Sequence, residues 1–249
     1  MNITLQRLPI IALTIKQFLD GKAIRVVIGL ALIPLVFGVI YLIQPDWAEP
    51  DLFLANGIFI ELMIPTLLPL TVLVLATSAF GNEVEDRTLP YLTLKPVRRS
   101  RIVIEKLVGS VMVSGPIVVV SLTMTYLVVM RGDSGEDLRL LWAMIVASLV
   151  ATIAYSSIFM LVSLLISRAL VAALIYLFVW ESILGRFVPG LRYVSIRHFV
   201  ASIFAAVADD PRFAPQDATA LSAAVATLAI ASVIAVVLAT WRLRAMNVA

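Results

Sequence analysis

Residues 26–43 read VVIGLALIPLVFGVIYLI, an apolar run without a charged side chain. A helix rises about 1.5 Å per residue and needs about 20 residues to cross the hydrocarbon of a bilayer. Similar runs recur along the chain, and we predict further spans at residues 58–80, 107–130, 140–166 and 221–241. A less regular run begins after Arg168 and meets Glu181, so it reaches bilayer length only if it extends toward Leu184 or Val188. The sequence therefore predicts an all-α polytopic membrane protein with six transmembrane helices.

Composition supports this prediction. Of the 249 residues, 61% are hydrophobic and 14% are charged, and the mean hydropathy is +1.04. These values are too apolar for a soluble domain, so we predict one transmembrane domain over residues 1–249. The absence of cysteine excludes disulfides, thiolate metal sites and a cysteine nucleophile.

Lysine and arginine near the ends of spans resist translocation and so indicate orientation. The basic residues cluster before span 1, between spans 2 and 3, and at Arg242 and Arg244. We therefore expect a multi-pass protein of the inner (plasma) membrane with both termini in the cytoplasm. Residues 181–220 are then external, as a re-entrant or an interfacial segment, although they carry four arginines.

Residues 1–24 show helical spacing of apolar side chains, which favours an interfacial helix ahead of span 1. The apolar positions are Leu8, Ile11, Ala12, Ile15, Phe18 and Leu19.

The loop at residues 81–106 has three chemically different parts: an acidic block, an apolar patch and a basic cluster from Lys95 to Lys106. We expect a short helix that docks in a groove of another protein, with the basic cluster against anionic lipid head groups. The alternative is an ordinary positive-inside loop. That alternative explains the arginines, but it does not explain an acidic block and an apolar patch on one cytoplasmic loop.

At this loop the sequence resembles the type-2 permease subunits of ABC transporters, which are related to multidrug, polysaccharide and lantibiotic exporters. Those permeases carry Gly-Glu, several charges, Gly-Thr-Leu, an apolar turn, Pro-Val, Ser or Arg, and a lysine that opens span 3. The corresponding residues here are Glu83, Thr88, Leu89, Leu92, Pro96, Val97, Arg98 and Lys106. The chain departs from the pattern at Arg87, where the family has glycine, and at Pro90, which implies a helix that begins near Leu89.

The resemblance implies a coupling helix in this loop that rests in a cleft of a separate ATPase subunit, beside a connecting helix formed by residues 1–24. It further implies two ATPase copies that carry ATP and magnesium, a second permease subunit as homo- or heterodimer, and export as the direction. The ATPase-coupling residues would be Glu83, Glu85, Asp86, Thr88, Leu89, Leu92, Pro96, Arg98 and Lys106. The chain contains no G-x-x-x-x-G-K-[ST] loop, so we expect it to bind no cofactor of its own.

Five polar residues and one proline in or beside the spans are candidates for a translocation path or its exit: Glu61, Pro65, Ser148, Thr152, Ser156 and Glu181. Counting from Phe80 places Glu61 about 28 Å away, near the outer interface, where it is either an anchor or part of an exit. Pro65, with Pro69, should kink span 2. The three hydroxyl residues, spaced four apart, serve either close helix packing or a substrate-lining face.

Three other functions remain as alternatives. An intramembrane enzyme needs a serine and a histidine at membrane depth, but His198 is the only histidine and lies in a polar segment, where we expect it to be solvated. An ion-driven transporter or channel needs ionisable sites near the midplane. A membrane anchor of a complex would bind partners, including lipids, without moving solute. We predict no catalytic residue, no metal site and no nucleic-acid partner.

Overall fold

The computed structural model of the chain describes residues 9–43, 49–85, 98–130, 138–166, 169–175, 177, 195–215 and 217–245, with the backbone alone at 9 and 81–85. Regular structure in these ranges is helical, without strands, which confirms the all-α prediction. The helices are α1 (Pro9–Asp20), α2 (Ala23–Ile43), α3 (Pro50–Leu52, Phe53–Leu67 and Leu68–Glu85), α4 (Arg99–Met130), α5 (Leu138–Leu165), α6 (Ala169–Ile175), α7 (Ile196–Ala208) and α8 (Leu221–Ala245), with a 3-10 turn at Pro211–Phe213.

Within the described ranges, five helices are long and apolar enough to cross a membrane, namely α2, α3, α4, α5 and α8. They confirm that the chain is a polytopic membrane protein. The helix α6 is the described beginning of the predicted fifth span, and most of the remainder of that span lies outside the described residues. The sixth membrane crossing therefore stays a prediction.

Several helices extend beyond the predicted spans. The helix α3 begins at Pro50 rather than Ile58, with proline in its first turn and the Leu52 N–H bonded to the Asp51 carboxylate at 2.8 Å. It continues to Glu85, and α4 starts at Arg99, well before Leu107. The non-helical part of the predicted loop is therefore shorter than residues 81–106, because charged residues end an apolar run without ending the helix.

The middle of α3, Phe53–Leu67, is a π-helix that contains Pro65. The sequence predicted a proline kink here; the kink stays a prediction, and the structure shows a long change of hydrogen-bond register around Pro65. The Leu68 N–H bonds to the Met63 carbonyl, five residues back. Proline supplies no N–H and crowds the preceding turn, so the wider register accommodates it within a continuous helix.

The helix α5 lies at the centre of the bundle and packs against α3, α4, α6, α7 and α8. We call one end of the bundle the α1 end; it contains α1, the starts of α2 and α4, and the last turns of α5 and α8. The opposite end, where Arg212, Arg139 and Asp51 lie, is the Arg212 end. A larger core extends from mid-bundle to the Arg212 end, and a smaller one around Phe18, Phe80 and Val103 lies at the α1 end.

The helix α1 packs on α4 through Ile11, Thr14 and Phe18, which are all buried. Leu19, assigned to the apolar face by its spacing, is exposed instead. Thr14, which is polar, is buried on this face because Gly109 of α4 leaves room for its side chain. A Cβ at Gly109 would lie 3.1 Å from the Thr14 Cγ2 atom.

We predict that Gly109→Val displaces α1 from α4, since overpacking at such a contact costs about 1–3 kcal/mol. The measurement is maleimide labelling of a single cysteine at Ile11, which needs no cysteine-free background because the natural chain has none. Labelling should become several-fold faster in the valine variant. Gly29→Val is the matched control, because nothing lies within 4 Å of a Cβ at Gly29. Equal labelling rates in both variants would contradict the close contact.

Candidate functional site

Two consecutive residues near the start of α4, Glu105 and Lys106, bind two different helices at the α1 end. The Glu105 carboxylate is 3% exposed and accepts a hydrogen bond from the Ile10 N–H at 3.2 Å, in the first turn of α1. Arg101, one turn earlier, also donates to it. A carboxylate at this place satisfies a free N–H and complements the positive end of the α1 dipole. Glu105 therefore fixes the beginning of α1 to α4.

Lys106 reaches the other way, to α3. The residue is 2% exposed. Its ammonium donates to the Ala79 carbonyl and lies 4.5 Å from the centroid of the Phe80 ring. The ring face attracts the cation, so the Phe80 ring and the Ala79 carbonyl both stabilise the Lys106 ammonium at this buried position. The prediction that the basic cluster meets lipid head groups is wrong for Lys106, because this side chain is buried between α3 and α4.

Two arginines hold the last turn of α8 at the same end. The Arg99 guanidinium donates to the Leu243 carbonyl at 2.7 Å, and the Arg242 Nε donates to the Leu164 carbonyl of α5 at 3.4 Å. The last carbonyls of a helix lack partners within the helix, so these contacts satisfy them. The ends of α1, α3, α5 and α8 are thereby joined, directly or through α4, at one place.

The predicted coupling residues are only partly described. Glu83 and Glu85 lie in the last turns of α3 by backbone position, Arg98 is exposed immediately before α4, and Lys106 is buried as above. The remaining coupling residues, Asp86, Thr88, Leu89, Leu92 and Pro96, lie outside the described residues. Their role stays a prediction, as does the short helix proposed for them.

Among the path candidates, Glu61 faces Arg197 at the beginning of α7, with 3.8 Å between Oε1 and Nη2. The Glu61 side chain is 55% exposed and that of Arg197 is 22% exposed. Pro65 is buried one turn further along the same π-helical segment. A half-exposed ion pair within a spanning helix is costly against hydrocarbon, so it favours contact with water or with protein.

The hydroxyl residues of α5 do not reach a surface of the protomer. Ser148, Thr152 and Ser156 are fully buried, and the Thr152 hydroxyl donates to the Ser148 carbonyl at 2.8 Å. A path-lining role for them would require the helices around α5 to move apart, and it stays a prediction. Glu181 lies outside the described residues.

The helix α7 belongs to the predicted external segment at 181–220, yet most of its residues are buried. It packs against α5, so this part of the segment belongs to the bundle, and whether it is re-entrant or interfacial stays a prediction. We expected His198 to be solvated, but it is buried. Its Nε2 lies 3.2 Å from the Thr219 hydroxyl. In the described part of the chain, no group of three or more His, Asp or Glu residues could hold a metal ion.

At the Arg212 end, one arginine bridges three carboxylates. Arg212 lies 2.8 Å from Asp210, 2.8 Å from Asp51 and 3.5 Å from Glu49, and so joins the 3-10 turn to the start of α3. The side-chain hydrogen bond from Arg212, and then its backbone N–H, hold the pKa of Asp210 below its usual 3.8. Hydrogen bonds to Asp210 and Asp51 raise the pKa of Arg212.

Sequence reasoning missed Glu105, Arg197 and Arg212. A signal existed for Glu105, because it is the one acidic residue in the basic stretch that leads into α4. The other two required knowledge of tertiary contacts between segments far apart in the chain.

The described residues form a bundle of long apolar helices with paired charges at its ends, which is the architecture of a polytopic membrane protein. A family model for ABC-2 family transporter proteins matches residues 9–248, and the chain belongs to this family. Comparison with curated proteins gave no match. The family confirms the resemblance seen at the loop and makes the chain a membrane-embedded ABC transporter permease.

We predict that Arg212→Gln lowers the melting temperature of the purified protein by a few degrees or less, and by equal amounts at about pH 5 and about pH 8. A carboxylate whose pKa is lowered by folding stabilises above its unfolded pKa and loses that effect only as the pH falls through the folded value. For Asp210 both values lie at or below 3.8. Thermal unfolding of the wild type and the variant measures the difference.

Arg244→Gln, an exposed arginine at the α1 end of the bundle, is the matched control and should leave the melting temperature nearly unchanged. A difference between wild type and Arg212→Gln that disappears between about pH 8 and about pH 5 would contradict the assignment to the Asp210 carboxylate, whose pKa is lowered.

Proposed function

We propose that this permease is the membrane subunit of an ATP-driven exporter, which forms the translocation path and is driven by a separate ATPase subunit docked on residues 81–106. The observation that carries the proposal is the adjacency of Glu105 and Lys106. One binds the start of α1 and the other binds the last turns of α3 that lead into the proposed docking loop. A displacement of the loop would therefore move α1, α3 and α4 together as one body.

The distribution of charge supports a cytoplasmic α1 end. Exposed basic residues concentrate there: Lys16, Lys22, Arg25, Arg98 and Arg244. The Arg212 end combines acidic and basic residues in mutual pairs. The positive-inside rule then orients the α1 end toward the cytoplasm and the Arg212 end outward. An ATPase in the cytoplasm would meet the chain at the α1 end.

The same proposal assigns a role to each subunit of the transporter and to the candidate path residues of this chain. Two copies of the ATPase would bind ATP and magnesium, and a second permease subunit, identical or different, would complete the path. Glu61 and Arg197 would lie at the outer part of this path, where their half-exposed charges meet water or the second subunit. Pro65 would belong to the same face of α3, Glu181 to the exit, and Ser148, Thr152 and Ser156 to a seam that opens during transport.

We predict that Glu83→Ala combined with Leu92→Ala reduces recovery of the ATPase about tenfold or more when the tagged permease is purified from its native membrane. Truncation of two contact side chains at an interface has effects of this size. The measurement is nucleotide hydrolysis and the amount of ATPase protein in the purified sample.

The matched control removes the same two side-chain types at the other end of the bundle, with Glu136→Ala shortly before α5 and Leu138→Ala at its first residue, and should leave recovery unchanged. Unchanged recovery in the Glu83/Leu92 variant, or a stable native complex that contains no ATPase, would overturn the proposal.

We predict that a cysteine at Glu61 changes its rate of reaction with a water-soluble thiol reagent several-fold when the complex is trapped with ATP and vanadate. A residue in an alternating path gains or loses access to water between states, whereas an anchor at the interface does not. The rates are measured in membranes that contain the assembled complex.

Leu149→Cys is the matched control, because Leu149 is exposed and lies about as far from Arg139 along α5 as Glu61 lies from Asp51 along α3. Its rate should be independent of the trapped state. Equal rates at Glu61 in both states would show that Glu61 is an interfacial anchor alone.

A further inference from the structure

A cavity of about 500 Å³ lies at the α1 end, where the connection between α1 and α2 meets α3 and α6. Phe18, Val26, Val74 and Leu170 give it apolar walls. It is separate from the contacts of Glu105 and Lys106 and from the ion pair of Glu61, and neither the family match nor the proposed coupling assigns it a role.

The cavity combines these apolar walls with a single charge. Lys22 is the one charged residue that lines it among those the structure describes. The hydroxyls of Thr77 and Ser78 also line it, but they donate to carbonyls of their own helix, those of Leu73 and Leu75. Lys22 has no ion-pair or hydrogen-bond partner for its ammonium within the described part of the chain, so this cation is available to a ligand.

Two further features add positive potential and shape at the same place. The helix α2 begins at Ala23, which lines the cavity, so the positive end of the α2 dipole points toward it. The connection itself is tight, because a Cβ at Gly21 would lie 2.9 Å from the Gln17 carbonyl oxygen. The positive end of the cavity is thus held at a fixed position beside the end of α1.

Val26 and Leu170 form the rim of the cavity and are 53% and 44% exposed. Val26 belongs to α2, which is long and apolar enough to cross a membrane, and Leu170 belongs to α6, the described beginning of the predicted fifth span, so we expect the rim to face lipid. A ligand that enters here needs an anionic head for Lys22 and an apolar part for the walls and rim. A bilayer lipid meets both requirements and reaches the cavity sideways without crossing water.

We propose that this cavity is a binding site for an anionic phospholipid of the leaflet at the α1 end. The lipid phosphate pairs with Lys22 at the start of α2, and an acyl chain follows Val26 and Leu170. The bound lipid ties the connection between α1 and α2 to the start of α6. This site does not depend on the partner ATPase, so it stands or fails independently of the proposed coupling.

The experiment uses the full-length chain in nanodiscs, with a fluorophore on a single cysteine at Leu170. Quenching by brominated phosphatidylglycerol is compared with quenching by brominated phosphatidylcholine at equal total lipid. The expected result is a preference for phosphatidylglycerol of about fivefold, the size expected for one lysine at an anionic surface. Lys22→Gln should abolish the preference, and Lys22→Arg should retain it.

Lys16→Gln is the matched control, because Lys16 is an exposed lysine of the same segment that does not line the cavity. It should keep the preference, and a label at Val233 on α8 should show none. Equal quenching by both lipids at Leu170, or equal loss in the Lys16 and Lys22 variants, would overturn the proposal. Displacement of the lipid preference by millimolar inorganic phosphate would assign the site to a free phosphate ion and would overturn it as well.

Discussion

The absence of water from the hydrocarbon of a bilayer is the constraint from which the rest of this structure follows. Backbone groups there must bond within their own segment, so each spanning element is a helix. The same constraint acts on the side chains, since several hydroxyls along the spans donate to carbonyls one turn earlier in their own helix. Thr77, Ser114, Thr125, Thr152, Ser232 and Thr240 all do so. Polar residues can therefore pack inside the bundle without forming a hydrophilic site.

Charges have no such local solution, and their positions decide what the chain can do. At the α1 end, Glu105 and Lys106 are buried because each finds a partner on a different helix. At the Arg212 end, ionised groups remain near water and pair across the ends of α3, α5 and the 3-10 turn. Glu61 and Arg197 are the exception, since they carry charge into the range of the spanning helix. This ion pair distinguishes one face of α3 from the exposed apolar surfaces of α2 and α8.

Hydropathy predicted the class of fold and the approximate position of each described span, because a run of about 20 apolar residues is decided by the bilayer alone. It did not predict where the helices end, as at Pro50, Glu85 and Arg99, because a charged residue can continue a helix beyond the hydrocarbon. It also did not predict the π-helical register around Pro65, which depends on how α3 packs. The motif at residues 83–106 identified the family, yet it gave no indication that Lys106 is buried. The partner of a charge is a tertiary property, and one sequence contains little information about it.

The charged contacts at the two ends of the bundle differ in strength, because those at the α1 end are buried and those at the Arg212 end are exposed. This difference decides which end would separate first when the helices move. The contacts of Glu105 and Lys106 are buried, adjacent on one turn and shielded from solvent, so breaking one removes a partner from a charge that water does not reach. The ion pairs at the Arg212 end are exposed, and exposed pairs contribute little and exchange readily with water. A force applied to the end of α3 at the α1 end would therefore be transmitted through α4 with α1 attached. Separation would begin where the contacts are weakest, between the start of α3 and the 3-10 turn that Arg212 bridges. With the proposed outward orientation of the Arg212 end, this is the end at which the path of an exporter has to open.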